Sequence, residues 1–222
     1  WSNGSHAHVW YMAVRHFDGD VWTCNNASVG TAERLAGSAF VKHTSSVLWA
    51  GDAATLQFAV ANWDPAVKPT PGGVESRYVY LLGTPCGRLG AARLLRAPTN
   101  AALHSDQYEY FSGTGGADTW SRDAAAAVDV IPAGVGELSV TWVPALRRWL
   151  ALYSAAGAHP SGKACGIVAR VSPTLAGGWS EPRLVMSNDY TPAVGVVYGG
   201  YTHTRLILGE EVYFTASFHT TY

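Results

Sequence analysis

The sequence predicts an all-β fold, a β-propeller, on three observations. Sustained helical periodicity is missing, and the one candidate start, Ala124–Ala127, runs into Val128, Val130 and Pro132, which disfavour a helix. Short runs rich in Val, Tyr, Trp, Leu and Thr are bounded by Gly, Pro, Asn and Asp, the pattern of many short strands. One such run recurs four times, its starts roughly 60–70 residues apart, a spacing that reads as an internal repeat.

The recurring run is His8–Arg15, Arg77–Thr84, Arg148–Ala155 and Glu211–Phe218, each with an aromatic residue early and small or polar residues late. It is read as the middle strand of a unit. Leu56–Ala61, Leu138–Val143 and His203–Leu208 precede three of these runs and are read as inner strands. Asp20–Asn25, Gly87–Ala97 and Lys163–Val171 follow three of them as third strands. Gly- and Trp-bearing turns, Gly115–Trp120 and Gly177–Ser180, lead on to outer strands. A small antiparallel sheet cannot bury both faces alone. Stacking such sheets around an axis buries them, and aromatic side chains fill the wedges. A β-sandwich is the rival, but it needs no such repeat. The register contains about three and a half blades, fewer than a closed ring requires. The expectation is a single domain over 1–222 whose first inner strand is missing before His8. A further N-terminal segment or another chain would complete the ring and cover edges that proteins avoid exposing.

Composition narrows the function. Charged residues are 14%, aromatic residues 12% and the formal net charge is −1. That is too little basic excess for nucleic-acid binding. No apolar run reaches the length of a membrane span. Cys24, Cys86 and Cys165 have neither a disulfide-framework pattern nor metal-ligand spacing. They read as small buried hydrophobes, with one disulfide and a spare thiol as the alternative. No zinc cluster, phosphate loop, dinucleotide fingerprint or nucleophile elbow occurs. No cofactor is implied. A structural cation in a central channel fits propeller precedent, but no ligands can be named.

Carboxylates, His, Arg and aromatic rings remain, a set that suits carbohydrate. Inner-strand entrances converge on a propeller axis, which singles out Glu137 in Gly136–Ser139, His203 and Arg205 in Tyr201–Arg205, and Asp52 before the second unit. Burial of Glu137 near other acids would raise its pKa and suit it to general acid work, with Asp52 as a second, weaker catalytic candidate. Arg88, Tyr108, Glu109, Tyr110, His203 and Arg205 are the candidate sugar contacts, because aromatic faces stack on sugar C–H surfaces while polar tips bond hydroxyls. Each has a plain structural alternative: wedge packing for the two tyrosines, pairing with an Arg for Glu109, and a turn residue for Asp52.

The ordered set Tyr80–Arg88 (YLLGTPCGR), Leu94–Pro98 (LLRAP), Tyr108–Gly113 (YEYFSG), Gly136–Ser139 (GELS) and Gly178–Pro182 (GWSEP) resembles a bacterial family long catalogued as a domain of unknown function and known for endo-D-arabinanases. The resemblance spans residues 8–222. It implies a five-bladed propeller. The expected location is secreted or cell-surface, with virion association as the alternative. The resemblance also implies a glycoside hydrolase that cleaves D-arabinofuranosyl linkages of (myco)bacterial cell-wall arabinan by carboxylate acid/base chemistry. Members carry a further Asp-rich N-terminal stretch, where part of the acidic pair is expected. The alternatives from the residues are a propeller that binds glycan without cutting it, lectin-like or an adhesin, and a scaffold propeller in a larger assembly.

Overall fold

The computed structural model describes residues 1, 6–18, 20–34, 40–62, 74–113, 119–156, 166–188 and 195–220. Among them are fifteen β-strands and no α-helix; two single 3₁₀ turns occur at Ser105–Gln107 and Ala124–Ala126. The chain is all-β, as its short Val-, Tyr- and Trp-rich runs dictate.

The strands form three sheets. The first is an antiparallel meander of β1 (His6–Asp18), β2 (Val21–Arg34) and β3 (Phe40–Ala50). The largest sheet contains two further meanders. One is β4 (Gln57–Asn62), β5 (Tyr78–Thr84) and β6 (Ala92–Pro98), extended by the short strands β7 (Glu109–Phe111), β8 (Trp120–Ser121) and β9 (Asp129–Ile131). The other is β10 (Val135–Val143), β11 (Arg148–Ala155), β12 (Gly166–Ser172) and β13 (Arg183–Ser187). The third sheet is a hairpin of β14 (Gly195–Leu208) and β15 (Glu211–Thr220).

The predicted unit is present locally. β11 coincides with the predicted run Arg148–Ala155, and each inner strand, β4, β10 and β14, pairs antiparallel with the middle strand that follows it. The structure differs at the junction of the second and third units. There β4 and β10 run parallel and share two registered pairs, Val140↔Ala61 and Thr141↔Asn62, so the two meanders merge into one sheet. The sheets do not close on one another among the described residues. β3 has no counterpart among the predicted strands, and β2 runs well past Asn25, because Thr, Ser, Asn and Gly dilute their apolar alternation.

Packing follows the strand alternation. On β5, Val79 and Leu81 face a cluster with Ala27, Val29 and Trp49 of the first sheet. Tyr80 and Leu82 face the opposite cluster, with Val140, Trp142 and Trp149. Burial on both faces explains why β5 reads as a nearly continuous apolar run. On β11, Leu152 turns away from that second cluster and packs with Ile167 against Val197 of β14. Three buried clusters therefore separate the first sheet, the two meanders of the large sheet and the β14–β15 hairpin. Aromatic pairs fill the wedges: Trp142 meets Trp149 edge-on at 5.5 Å, and Trp120 meets Phe111 at 5.7 Å.

Cys24 of β2 and Cys86, which follows β5, form a disulfide across 62 residues of sequence. This is the alternative reading of the cysteines, in place of buried free thiols; Cys165 lies outside the described residues. Strand pairing alone does not bring β2 to the β5–β6 loop, so spacing did not reveal the bond. Replacing both cysteines by alanine is expected to cost about 2–4 kcal/mol in denaturant unfolding, since the bond closes a long loop.

Candidate functional site

The loop after β5 is held to the β1–β2 turn before any side chain of the site is placed. Gln57 donates from its amide to the carbonyls of Pro85, at 2.9 Å, and Gly87. The Arg88 amide donates to the Asp20 carbonyl at 2.9 Å. Gly87 has φ +86°, and a Cβ there would come within 2.7 Å of the Asp20 carbonyl oxygen, so the close approach requires glycine. With the disulfide one residue earlier, the backbone at Arg88 is fixed from three sides.

The Arg88 guanidinium then gathers residues from several strands. Its Nη2 donates to Glu137 Oε1 at 2.5 Å and its Nε to Oε2 at 3.0 Å, a two-pronged grip on a carboxylate of β10. Its Nη1 reaches Asp20 Oδ1 at 3.4 Å. The guanidinium carbon lies 5.0 Å from the ring centre of Trp22 on β2 and 5.6 Å from that of Tyr198 on β14. The Arg88 and Glu137 side chains are 15% and 13% exposed, whereas Asp20 is 41% exposed, so the pair is shielded and the second carboxylate faces water.

The electrostatics correct the expectation for Glu137. Burial alone pushes its carboxyl up, the effect anticipated from sequence. The hydrogen bonds from Arg88, from its own backbone amide and from the Ser154 hydroxyl, with the charge of Arg88, outweigh burial and hold it below the usual carboxylate range. Burial also opposes the Arg88 charge, and Glu137 and Asp20 more than restore it. Glu137 is therefore a carboxylate kept ionised, not an acid kept protonated. The fit beneath it is tight: a Cβ at Gly136 would lie 2.8 Å from Arg88 Cγ and 2.9 Å from the Ser154 carbonyl oxygen. Gly136→Ala is expected to destabilise the protein by about 1–3 kcal/mol in denaturant titration, because neither neighbour can yield freely.

The other sequence candidates fall elsewhere. Tyr108 is 1% exposed, and its hydroxyl accepts from Trp10 Nε1 at 2.9 Å and donates to the Ala102 carbonyl at 2.6 Å. Burial raises its pKa strongly. Tyr110 is also buried, its hydroxyl accepting from Trp49 Nε1 at 3.0 Å. Both rings belong to the cluster between the first sheet and β5, so neither offers a face to a sugar. Glu109 accepts from Arg96 Nε at 2.8 Å, and Arg96 lies between the rings of Tyr78 and Trp120 at 4.1 and 4.0 Å. That is the plain ion pair weighed from sequence. Asp52 is exposed in the turn between β3 and β4, away from the shielded pair. His203 is exposed on β14, and the Arg205 side chain lies outside the described residues. Among the described candidates, Arg88 and Glu137 meet as a shielded ion pair, while Tyr108 and Tyr110 meet only in the core. Asp20, Trp22, Ser154, Tyr198 and Tyr201 were missed. The one sequence signal for the last two was Gly199-Gly200 inside an apolar run, which marks a bulge or a close backbone approach.

Among the described residues no group of three His, Cys, Asp or Glu side chains could hold a metal ion, and no helix is long and apolar enough to cross a membrane.

A family model described as a domain of unknown function (DUF4185) matches residues 2–222. No curated protein matches the chain. The crystal structure of a "putative hydrolase" from Bacteroides ovatus has a similar fold, with a TM-score of 0.64 at 13% identity. The match covers 97% of this chain and 52% of that one, so this chain spans about half the length of its structural relative.

Proposed function

Since the chain belongs to the DUF4185 family, a domain of unknown function, we propose that it is a β-propeller glycoside hydrolase acting on D-arabinofuranosyl linkages of bacterial cell-wall arabinan. The observation that carries this reading is the Arg88 cluster: Glu137 and Asp20 share one guanidinium beside the rings of Trp22 and Tyr198. Glycoside hydrolysis proceeds through an oxocarbenium-like transition state flanked by two carboxyl groups. Glu137, held ionised, supplies the negative charge on one side. Asp20, on the solvent side of the same guanidinium, is the second carboxylate of the cluster. The likeness to a protein described as a hydrolase supports the class of reaction but, at its identity, not the substrate.

The Cys24–Cys86 disulfide supports a secreted or cell-surface location, since such bonds persist in oxidising compartments. Exposed Val9, Phe17 and Val21 on the first sheet, and Leu206, Leu208, Tyr213 and Phe218 on the last, support a ring completed by further β-structure.

One observation favours a second reading, a propeller that grips glycan without cutting it. Glu137 is already saturated by Arg88 and Ser154, which suits fixed recognition as well as catalysis. Incubating the protein with mycobacterial arabinogalactan separates the readings. Release of new reducing ends supports the hydrolase. Measurable affinity without products supports the binder. Neither cleavage nor affinity overturns the carbohydrate assignment.

A further inference from the structure

Residues three apart in a regular strand point to opposite faces. Tyr198 and Tyr201 of β14 nevertheless share one face, the face whose Tyr198 ring lies against the Arg88 guanidinium. The pairing register explains this. Tyr198 stands opposite Ser217 and Tyr201 opposite Thr215, so three steps on β14 match two on β15 and one extra residue is inserted. A bulge of this kind re-aims the side chain that follows it.

The bulge is built rather than incidental. Gly199 has φ +68°, a conformation that favours glycine. Its amide donates to Ser154 Oγ at 2.9 Å, and the same hydroxyl bonds Glu137, so the bulge and the carboxylate are tied through one side chain. Ser139 Oγ donates to the Gly200 carbonyl at 2.9 Å, and a Cβ at Gly200 would come within 2.8 Å of Ile167 Cγ2. Tyr201 emerges from this anchored segment 47% exposed, and its hydroxyl makes no hydrogen bond among the described residues. His203 follows two residues later on the same strand and is exposed as well.

We propose that Tyr201 is a substrate-contacting residue, its ring a platform for a furanose ring and its hydroxyl a donor to a sugar oxygen beside Glu137. An exposed ring with an unused hydroxyl, on the strand face whose Tyr198 lies against the Arg88 guanidinium, matches a ligand with both an apolar C–H face and oxygen acceptors. Burial and then the Glu137 charge raise the pKa of the phenol, which keeps its proton and therefore its capacity to donate. This inference rests on the glycoside reading above and deepens it.

The test measures kcat and KM on arabinogalactan, and calorimetric binding of a D-arabinofuranosyl oligosaccharide, for the wild type, Tyr201→Ala and Tyr201→Phe. Tyr201→Ala is expected to raise KM and Kd by about 3–10-fold through loss of the ring contact. Tyr201→Phe keeps the platform and is expected to lose less, in proportion to the hydroxyl contact alone. A thermal melt unchanged in Tyr201→Phe separates contact from folding. If the wild type binds and cleaves while Tyr201→Ala keeps its KM and Kd, the assignment of Tyr201 is overturned and the glycoside reading stands. If the wild type neither binds nor cleaves, the glycoside reading falls and takes this inference with it.

Discussion

Glu137→Gln is expected to lower release of reducing ends from arabinan by about 10²–10³-fold, the cost of removing a fixed charge that stabilises a charged transition state. The substitution keeps the shape of the side chain and one oxygen to accept from Arg88. It removes the negative charge and leaves an N–H pair facing a guanidinium. Activity and stability therefore respond differently: the protein is expected to lose about 1–3 kcal/mol as Arg88 loses part of its hydrogen bonding. The pH dependence supplies a second readout. The Glu137 carboxyl is held below its ordinary value of 4.5 in the folded protein. Its contribution to stability is complete above that value and is lost as pH falls through the lower, folded value. Melting temperatures followed into that acid range should show a shallower decline for Glu137→Gln than for the wild type. Full activity in the variant would remove Glu137 from the chemistry.

Arg88→Met is expected to destabilise the protein by about 3–5 kcal/mol, because it strands a shielded carboxylate without its counter-ion. Methionine preserves the length of the stem, so the loss reports the guanidinium rather than a cavity. The sign of the pH dependence is also expected to reverse at this site. With Arg88 gone, burial, the largest single influence on the group, is expected to push the Glu137 carboxyl above its unfolded value. The group then contributes its stability below that value and loses it as pH rises. Denaturant titrations at neutral and mildly acidic pH should show the variant recovering part of its deficit on acidification. A uniform deficit below about 1 kcal/mol would mean that the pair acts as an exposed salt bridge, against its burial in the structure.

The two meanders around β5 and β11 were legible because their middle strands are buried on both faces and so carry dense apolar runs. β3 and the distal half of β2 were not, because a hairpin rich in Ser, Thr and Asn holds its shape by backbone pairing that leaves no periodic trace. Tyr108 and Tyr110 illustrate the limit for side chains. Tyrosine is equally at home stacking on a sugar and bridging two sheets, and only the indole donors of Trp10 and Trp49, 98 and 61 residues away, decide which. Glu109 is similar, since its arginine lies on a neighbouring strand.

The sequence by itself determined the all-β class and the order of inner, middle and third strand, and it singled out Arg88 and Glu137, which the fold brings together. These are local properties: strand propensity, repeat spacing, and rare charges next to glycines in an aromatic-rich chain. The tertiary structure decided which charges meet and what state they hold. Arg88 and Glu137 are 49 residues apart, and Asp20 is a further 68 from Arg88. A pKa depends on the balance of burial against partners brought in from other strands, and no window of sequence contains that balance. The disulfide, the bulge that brings Tyr201 onto the face of Tyr198, and the ionised state of Glu137 itself all depend on residues far apart in sequence.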